Sequence, residues 1–155
     1  MIRTRKRLGL CIALLTLNLA FIWGNSLMPG HISGAFSDWV RELLAPLFGW
    51  QPGGSTGGGL LRKLAHFTEF MTLGLCLRWL FGMLPASPLR QWLFAAAAAL
   101  TVASIDETIQ LFVPDRGPSV KDVGIDTLGA LLGITALTLI HLKIKKSINK
   151  RSKQL

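Results

Sequence analysis

Four apolar segments, each close to the length that crosses a bilayer, dominate this sequence: 8–24, 64–84, 92–113 and 123–142. A hydrocarbon core is about 30 Å thick, and a helix needs about 20 apolar residues to span it. Helices are the element such segments must adopt, because an open strand edge cannot face lipid. The expected fold is therefore all-α: an integral membrane four-helix bundle, one domain over 1–155, ending in a basic tail at 143–155. Half of the residues are hydrophobic, 16% are charged and mean hydropathy is +0.46, which argues against a disordered chain or a water-soluble domain. Cys11 and Cys76 both fall within spans and read as apolar filler, not as a disulfide framework.

The formal net charge is +9, and its placement explains it. Arg3, Arg5, Lys6 and Arg7 precede the first span. Arg78 and Arg90 flank the turn between the second and third. Lys143, Lys145, Lys146, Lys150, Arg151 and Lys153 follow the fourth. These are 12 of the 17 Lys and Arg residues, and they share one side. By the positive-inside rule that side is the cytoplasm, so the expectation is a multi-pass cell-membrane protein with both termini cytoplasmic. Membrane lipids are the expected partners, and the basic excess does not call for nucleic acid. The basic start and first apolar segment also fit a signal peptide. No A-x-A-like site follows, so the segment is read as an uncleaved span.

The first outer loop, about 25–62, is long. Within it Phe36, Trp39, Val40, Leu43, Leu44, Leu47 and Phe48 recur at helical spacing, with Asp38, Arg41 and Glu42 on the other face. This pattern fits a short amphipathic interfacial helix on the outer leaflet, with Trp39 and Trp50 at headgroup depth. A helix capping the bundle would carry the same stripe. Residues 51–59 form a Gly-rich hinge without a phosphate-loop pattern. Gly129 and Gly133 form a small-xxx-small pair suited to close helix contact, and the small-residue faces leave a homo-oligomer open. A transporter is disfavoured, since four spans without an inverted repeat leave little room for alternating access.

Polar residues inside the spans carry the functional information. Lys63, His66, Glu69 and Phe70 recur at three- and four-residue steps, as do Asp106, Glu107 and Gln110, and Asp122 and Asp126 are four apart. Each set shares one helix face. At about 1.5 Å per residue, Glu69 lies about 9 Å below Lys63, Asp126 about 6 Å below Asp122 and Asp106 about 12 Å below Pro114. The three faces therefore converge at a similar depth in the outer half of the membrane. An ionised group at mid-bilayer costs about 2.5 kcal/mol or more, so Glu69, Asp106, Glu107 and Asp126 must face one another, a wet cleft or cations. Lys63, Arg116 and Lys121 are the candidate cations.

Lys63-x-x-His66-Phe67-x-Glu69-Phe70-x-x-Leu73-Gly74 resembles the first signature of the VanZ-like membrane proteins. Asp106-Glu107-x-x-Gln110-x-Phe112-Val113-Pro114-x-Arg116 resembles the second, and Ser119-x-x-Asp122-Val123-x-x-Asp126-Thr127-x-Gly129-Ala130-x-x-Gly133 the third. The resemblance covers about 26–133. It departs at Phe70, where many relatives carry Tyr, and at Asp115, where Gly is frequent. It implies an integral membrane protein of the cell envelope, in a family named for a protein linked to teicoplanin resistance. It supplies no established reaction.

Three uses of the cleft are consistent with these residues. In an enzyme acting on an outer-leaflet lipid or envelope precursor, His66 or Glu69 would be general acid or base, partnered by Asp106 or Glu107. Lys63, Gln110, Arg116, Asp122 and Asp126 would bind the ligand, Arg116 suiting an anionic headgroup. A divalent metal on His66, Glu69, Asp106 and Glu107, with Asp126 a further oxygen donor, is a variant of that reading. A binding module without chemistry is the second use. A structural ion-pair network clamping the helices is the third. Acids outnumber nearby bases, and a purely structural network should approach balance. That surplus favours a functional cleft. Ser26 is read as lining the outer end of the first span, Arg78 as an inner anchor, and His31 and His141 as surface residues.

Overall fold

A computed structural model describes residues 2–48 and 58–152. The chain forms five helices: α1 (Ile2–Ser26), α2 (Gly30–Phe48), α3 (Gly58–Phe81), α4 (Pro88–Gln110) and α5 (Val120–Arg151). Among the described residues there is no strand. Arg5–Ser26, Pro88–Gln110 and Val120–Arg151 are long and apolar enough to cross a membrane, judged by length and composition. The second apolar segment, 64–84, lies on α3 as far as Phe81 and ends in a turn at 82–84; it is interrupted by His66, Glu69 and Arg78. α3 is nevertheless the central helix, packed against each of the other four.

Local chemistry sets the boundaries. Ser87 caps α4, with Pro88 at its first turn, where a missing N–H costs nothing. α4 stops at Gln110, so Leu111–Val113 form a turn and not the last turn of the third apolar segment. Pro114 disfavours helix in the residue before it. Ser119 caps α5, its side chain accepting from the Lys121 N–H at 3.1 Å. The basic tail is not a separate segment as far as Arg151: α5 continues through it. Lys150 and Arg151 lie in its last turn, where cations suit the helix dipole.

Burial is inverted relative to a water-soluble protein. Leu17, Phe21, Leu93, Leu100 and Leu128 are exposed, whereas Asp106, Asp126, Gln110 and Ser26 are buried. On α4 the buried stripe is Gln91, Ala95, Ala99, Ala103, then Asp106, Glu107 and Gln110. α2 follows the same rule. Phe36, Trp39, Leu43 and Leu47 point outward, while Ser33, Arg41 and Ala45 are buried. Of the two placements the stripe allows, this is the one with the apolar face turned away from the other helices. Trp50 and residues 51–57 of the Gly-rich hinge lie outside the described residues.

The α3–α5 seam is a backbone contact. A side chain at Gly129 would overlap the Phe67 carbonyl, one at Gly133 the Met71 carbonyl, and one at Gly74 the Ala130 carbonyl. The small-xxx-small pair thus has a definite role: it brings α5 against α3 with nothing between the chains. Cys11 and Cys76 are buried free thiols, with Cys11 Sγ donating to the Cys76 carbonyl at 3.7 Å.

The seam makes a signed prediction. Gly133→Ala is expected to destabilise the detergent-purified protein by about 1–3 kcal/mol in thermal melts, the cost of overpacking. Gly124→Ala, whose Cβ would meet nothing within 4 Å, is expected to stabilise it by about 0.4–1 kcal/mol.

Candidate functional site

Three helices deliver the deep polar groups to one place. His66 of α3, Asp106 of α4 and Asp126 of α5 each offer a ligand-type atom, and these atoms lie within 4.8 Å of one another. All are at most 8% exposed. Phe70, one turn below His66 on α3, is fully buried beneath them; the hydroxyl of a Tyr at this position is absent.

Asp106 is oriented by neighbours. Ser26 Oγ donates to its Oδ1 at 2.6 Å, and Gln110 Nε2 donates to its Oδ2 at 3.0 Å. Gln110 also approaches Ser26 Oγ at 3.3 Å and Glu107 Oε1 at 3.5 Å. Its own Oε1 accepts from Arg62 Nη2 at 3.3 Å. By contrast His66 Nδ1 and Asp126 Oδ2 are buried without a hydrogen-bond partner among the described residues. Groups so buried normally find partners. Other buried atoms, among them Glu69 Oε2, Arg116 Nη1 and Thr127 Oγ1, share this state, and those of His66 and Asp126 are the ones within the trio.

Other expected site residues are placed differently. Glu69 lies on the α1 side of α3, outside the trio, and accepts from Asn25 Nδ2 at 3.2 Å. Glu107 is also outside it; its Oε2 accepts the Ser119 N–H at 2.7 Å and so ties α4 to the start of α5. Among the described residues it is Asp126, and neither glutamate, whose oxygen joins the atoms of His66 and Asp106 within 4.8 Å. Rotational phase puts it there, since Asp126 rides on the face that Gly129 and Gly133 press against α3. Lys63 is exposed and pairs with Asp122 at 3.8 Å on the rim. Lys121 is exposed.

Arg116 does fold back, but onto α1. Its Nε donates to the Met28 carbonyl at 2.8 Å and its Nη2 to the Asn25 carbonyl. The carbonyls at a helix C-terminus need donors, and a cation there also suits the dipole. Burial, with Arg62 close by, pulls its pKa below the ordinary value, while Asp106 and Glu107 push the other way. Asp115 sits at φ 59°, in the left-handed region that favours glycine, which gives the frequent Gly of relatives a backbone reason. Its side chain reaches the exposed His31 at 3.2 Å. Arg78 is buried, its Nε donating to Thr138 Oγ1 at 2.7 Å, and is not a free inner anchor. His141 is exposed.

Two concavities lie in this part of the molecule, one of them lined by members of the trio. A polar cavity of about 150 Å³ is lined by Arg62, Lys63, His66, Glu107, Asp122 and Asp126, among others. A larger, mostly apolar groove of about 850 Å³ runs between α1, α2 and α3, past Phe21, Ile32, Phe36, Val40 and Leu64 to Glu69. Arg62 lines both. Sequence reasoning passed over Arg62 in favour of its neighbour Lys63. The usable signal was helical spacing: Arg62 stands four residues before His66, on the same face.

No curated protein and no solved structure matches the chain. A family model does, that of VanZ/LLP1, over residues 8–141. It spans all three signatures and the helices that carry the polar trio. The chain belongs to the VanZ/LLP1 family.

Proposed function

We propose that this is a cell-envelope membrane protein that binds an anionic, amphiphilic lipid. Its headgroup would occupy the polar cavity, and one of its chains the groove between α1, α2 and α3. The observation that carries the reading is that Arg62 lines both concavities. An anionic lipid has this division: one charged end, one long apolar end. A guanidinium suits a phosphate or carboxylate bidentately. The opening of the groove beside the outward apolar face of α2 fits a ligand that arrives from the bilayer.

In this reading α3 crosses the membrane beside α1, α4 and α5. Its polar residues are sheltered by the helices around it, which lowers the cost that its composition implies. α2 lies at the outer surface, with Phe36, Trp39, Leu43 and Leu47 in lipid. The distribution of Lys and Arg supports placing both termini in the cytoplasm.

Lipid binding is tested on the full chain in detergent by native mass spectrometry with phosphatidylglycerol and phosphatidylcholine. The wild type is expected to retain the anionic lipid preferentially. Arg62→Ala should weaken that retention by about tenfold or more, the scale of one charged hydrogen bond. Arg116→Ala should instead lower the melting temperature, because its guanidinium holds the end of α1. Equal retention of both lipids, or unchanged retention in Arg62→Ala, would remove the reading.

Orientation is tested by cysteine labelling in a background lacking Cys11 and Cys76. A cysteine at Val120, 88% exposed beside the cleft, should react with an impermeant maleimide in intact cells. A cysteine at Ser147 should react only after permeabilisation. The reverse pattern would invert the topology.

A further inference from the structure

We propose that His66, Asp106 and Asp126 form a binding site for one divalent first-row transition metal of the Zn²⁺ or Mn²⁺ type. The three groups come from three different helices, yet their ligand-type atoms lie within 4.8 Å of one another. Ligand atoms of a tetrahedral site about 2.1 Å from the metal lie about 3.4 Å apart, so atoms within 4.8 Å of one another must close by up to about 1.4 Å, a movement within reach of side-chain rotation. One imidazole nitrogen with carboxylate oxygens suits Zn²⁺ or Mn²⁺, whereas an all-oxygen set would suit Mg²⁺ or Ca²⁺.

Three further observations point to a ligand. His66 Nδ1 and Asp126 Oδ2 are buried without partners, on residues 8% and 1% exposed. Both residues also line the polar cavity, so they meet the space a ligand would use. Asp106 has the outer hydrogen bonds that ligating carboxylates carry, from Ser26 at 2.6 Å and Gln110 at 3.0 Å. Charge agrees: two carboxylates neutralise one dication. No ion pair among the described residues reaches Asp106 or Asp126. Three protein ligands leave coordination positions free, and these would face the cavity.

This site stands on its own residues and does not need the lipid reading. The test uses the full chain, stripped with chelator, in detergent free of phospholipid. Mn²⁺ binding is followed by loss of the free-ion paramagnetic resonance signal, and Zn²⁺ binding by calorimetry. The expected result is one saturable site per chain, with Zn²⁺ displacing Mn²⁺ and the bound ion raising the melting temperature. His66→Gln and Asp126→Asn should each weaken binding by at least about tenfold and abolish the rise. Absence of saturable binding by the wild type at millimolar ion overturns the site without any variant. Equal affinity in the wild type and both variants overturns it as well.

Discussion

The rest of the structure depends on one contact, the direct approach of the α3 and α5 backbones. Gly129 and Gly133 meet the carbonyls of Phe67 and Met71, and Gly74 meets that of Ala130. A backbone contact of this kind fixes rotation as well as distance. With Gly129 held on the seam, Asp126 three residues earlier shares its face and is carried toward α3. His66, one turn before Phe70, is carried the other way to meet it. α4 closes the third side, since Ala95, Ala99 and Ala103 are small enough to let its backbone near the core. The small residues are thus the means by which the polar ones converge.

Burying so many polar atoms is costly, and the fold offsets the cost unevenly. Glu107 accepts a backbone N–H, and Arg116 donates to the carbonyls of Asn25 and Met28 at and just beyond the end of α1, its Nη1 having no partner among the described residues. Asp106 is satisfied from two sides. These contacts join α1, α4 and the start of α5 where the chain turns. Buried polar atoms without a partner among the described residues remain at several places in the fold, and those of His66 and Asp126 lie beside the polar cavity. The two that border the cavity are the ones on which the proposed site rests.

Much of this was legible in the sequence. Apolar runs marked the helices, and three- and four-residue spacing marked the faces that meet. Sequence left the phase at helix ends undetermined. Arg62 and Lys63 are neighbours about 100° apart on α3 and both line the polar cavity, but Arg62 also lines the apolar groove while Lys63 pairs with Asp122. Glu107 and Arg116 illustrate a second limit. Spacing identifies a polar residue but not the backbone groups that will claim it, because these come from the ends of other helices. Ser26 illustrates a third. A lone serine at the end of an apolar segment carries no pattern, yet it makes the 2.6 Å bond that orients Asp106. The stripe on α2 was equally readable, but its outward direction required knowing that Ser33, Arg41 and Ala45 are the residues buried.

α5 has a mechanical side. At 32 residues it is about 48 Å long, well beyond the thickness of a hydrocarbon core. Its last turns are charged and continuous with the part that carries Asp126. From Gly133 to Arg151 the rod measures about 27 Å, so a 10° tilt pivoting on the glycines would sweep its far tip through about 5 Å. Were α5 to tilt there, its far arm would carry a row of ammonium and guanidinium groups with it.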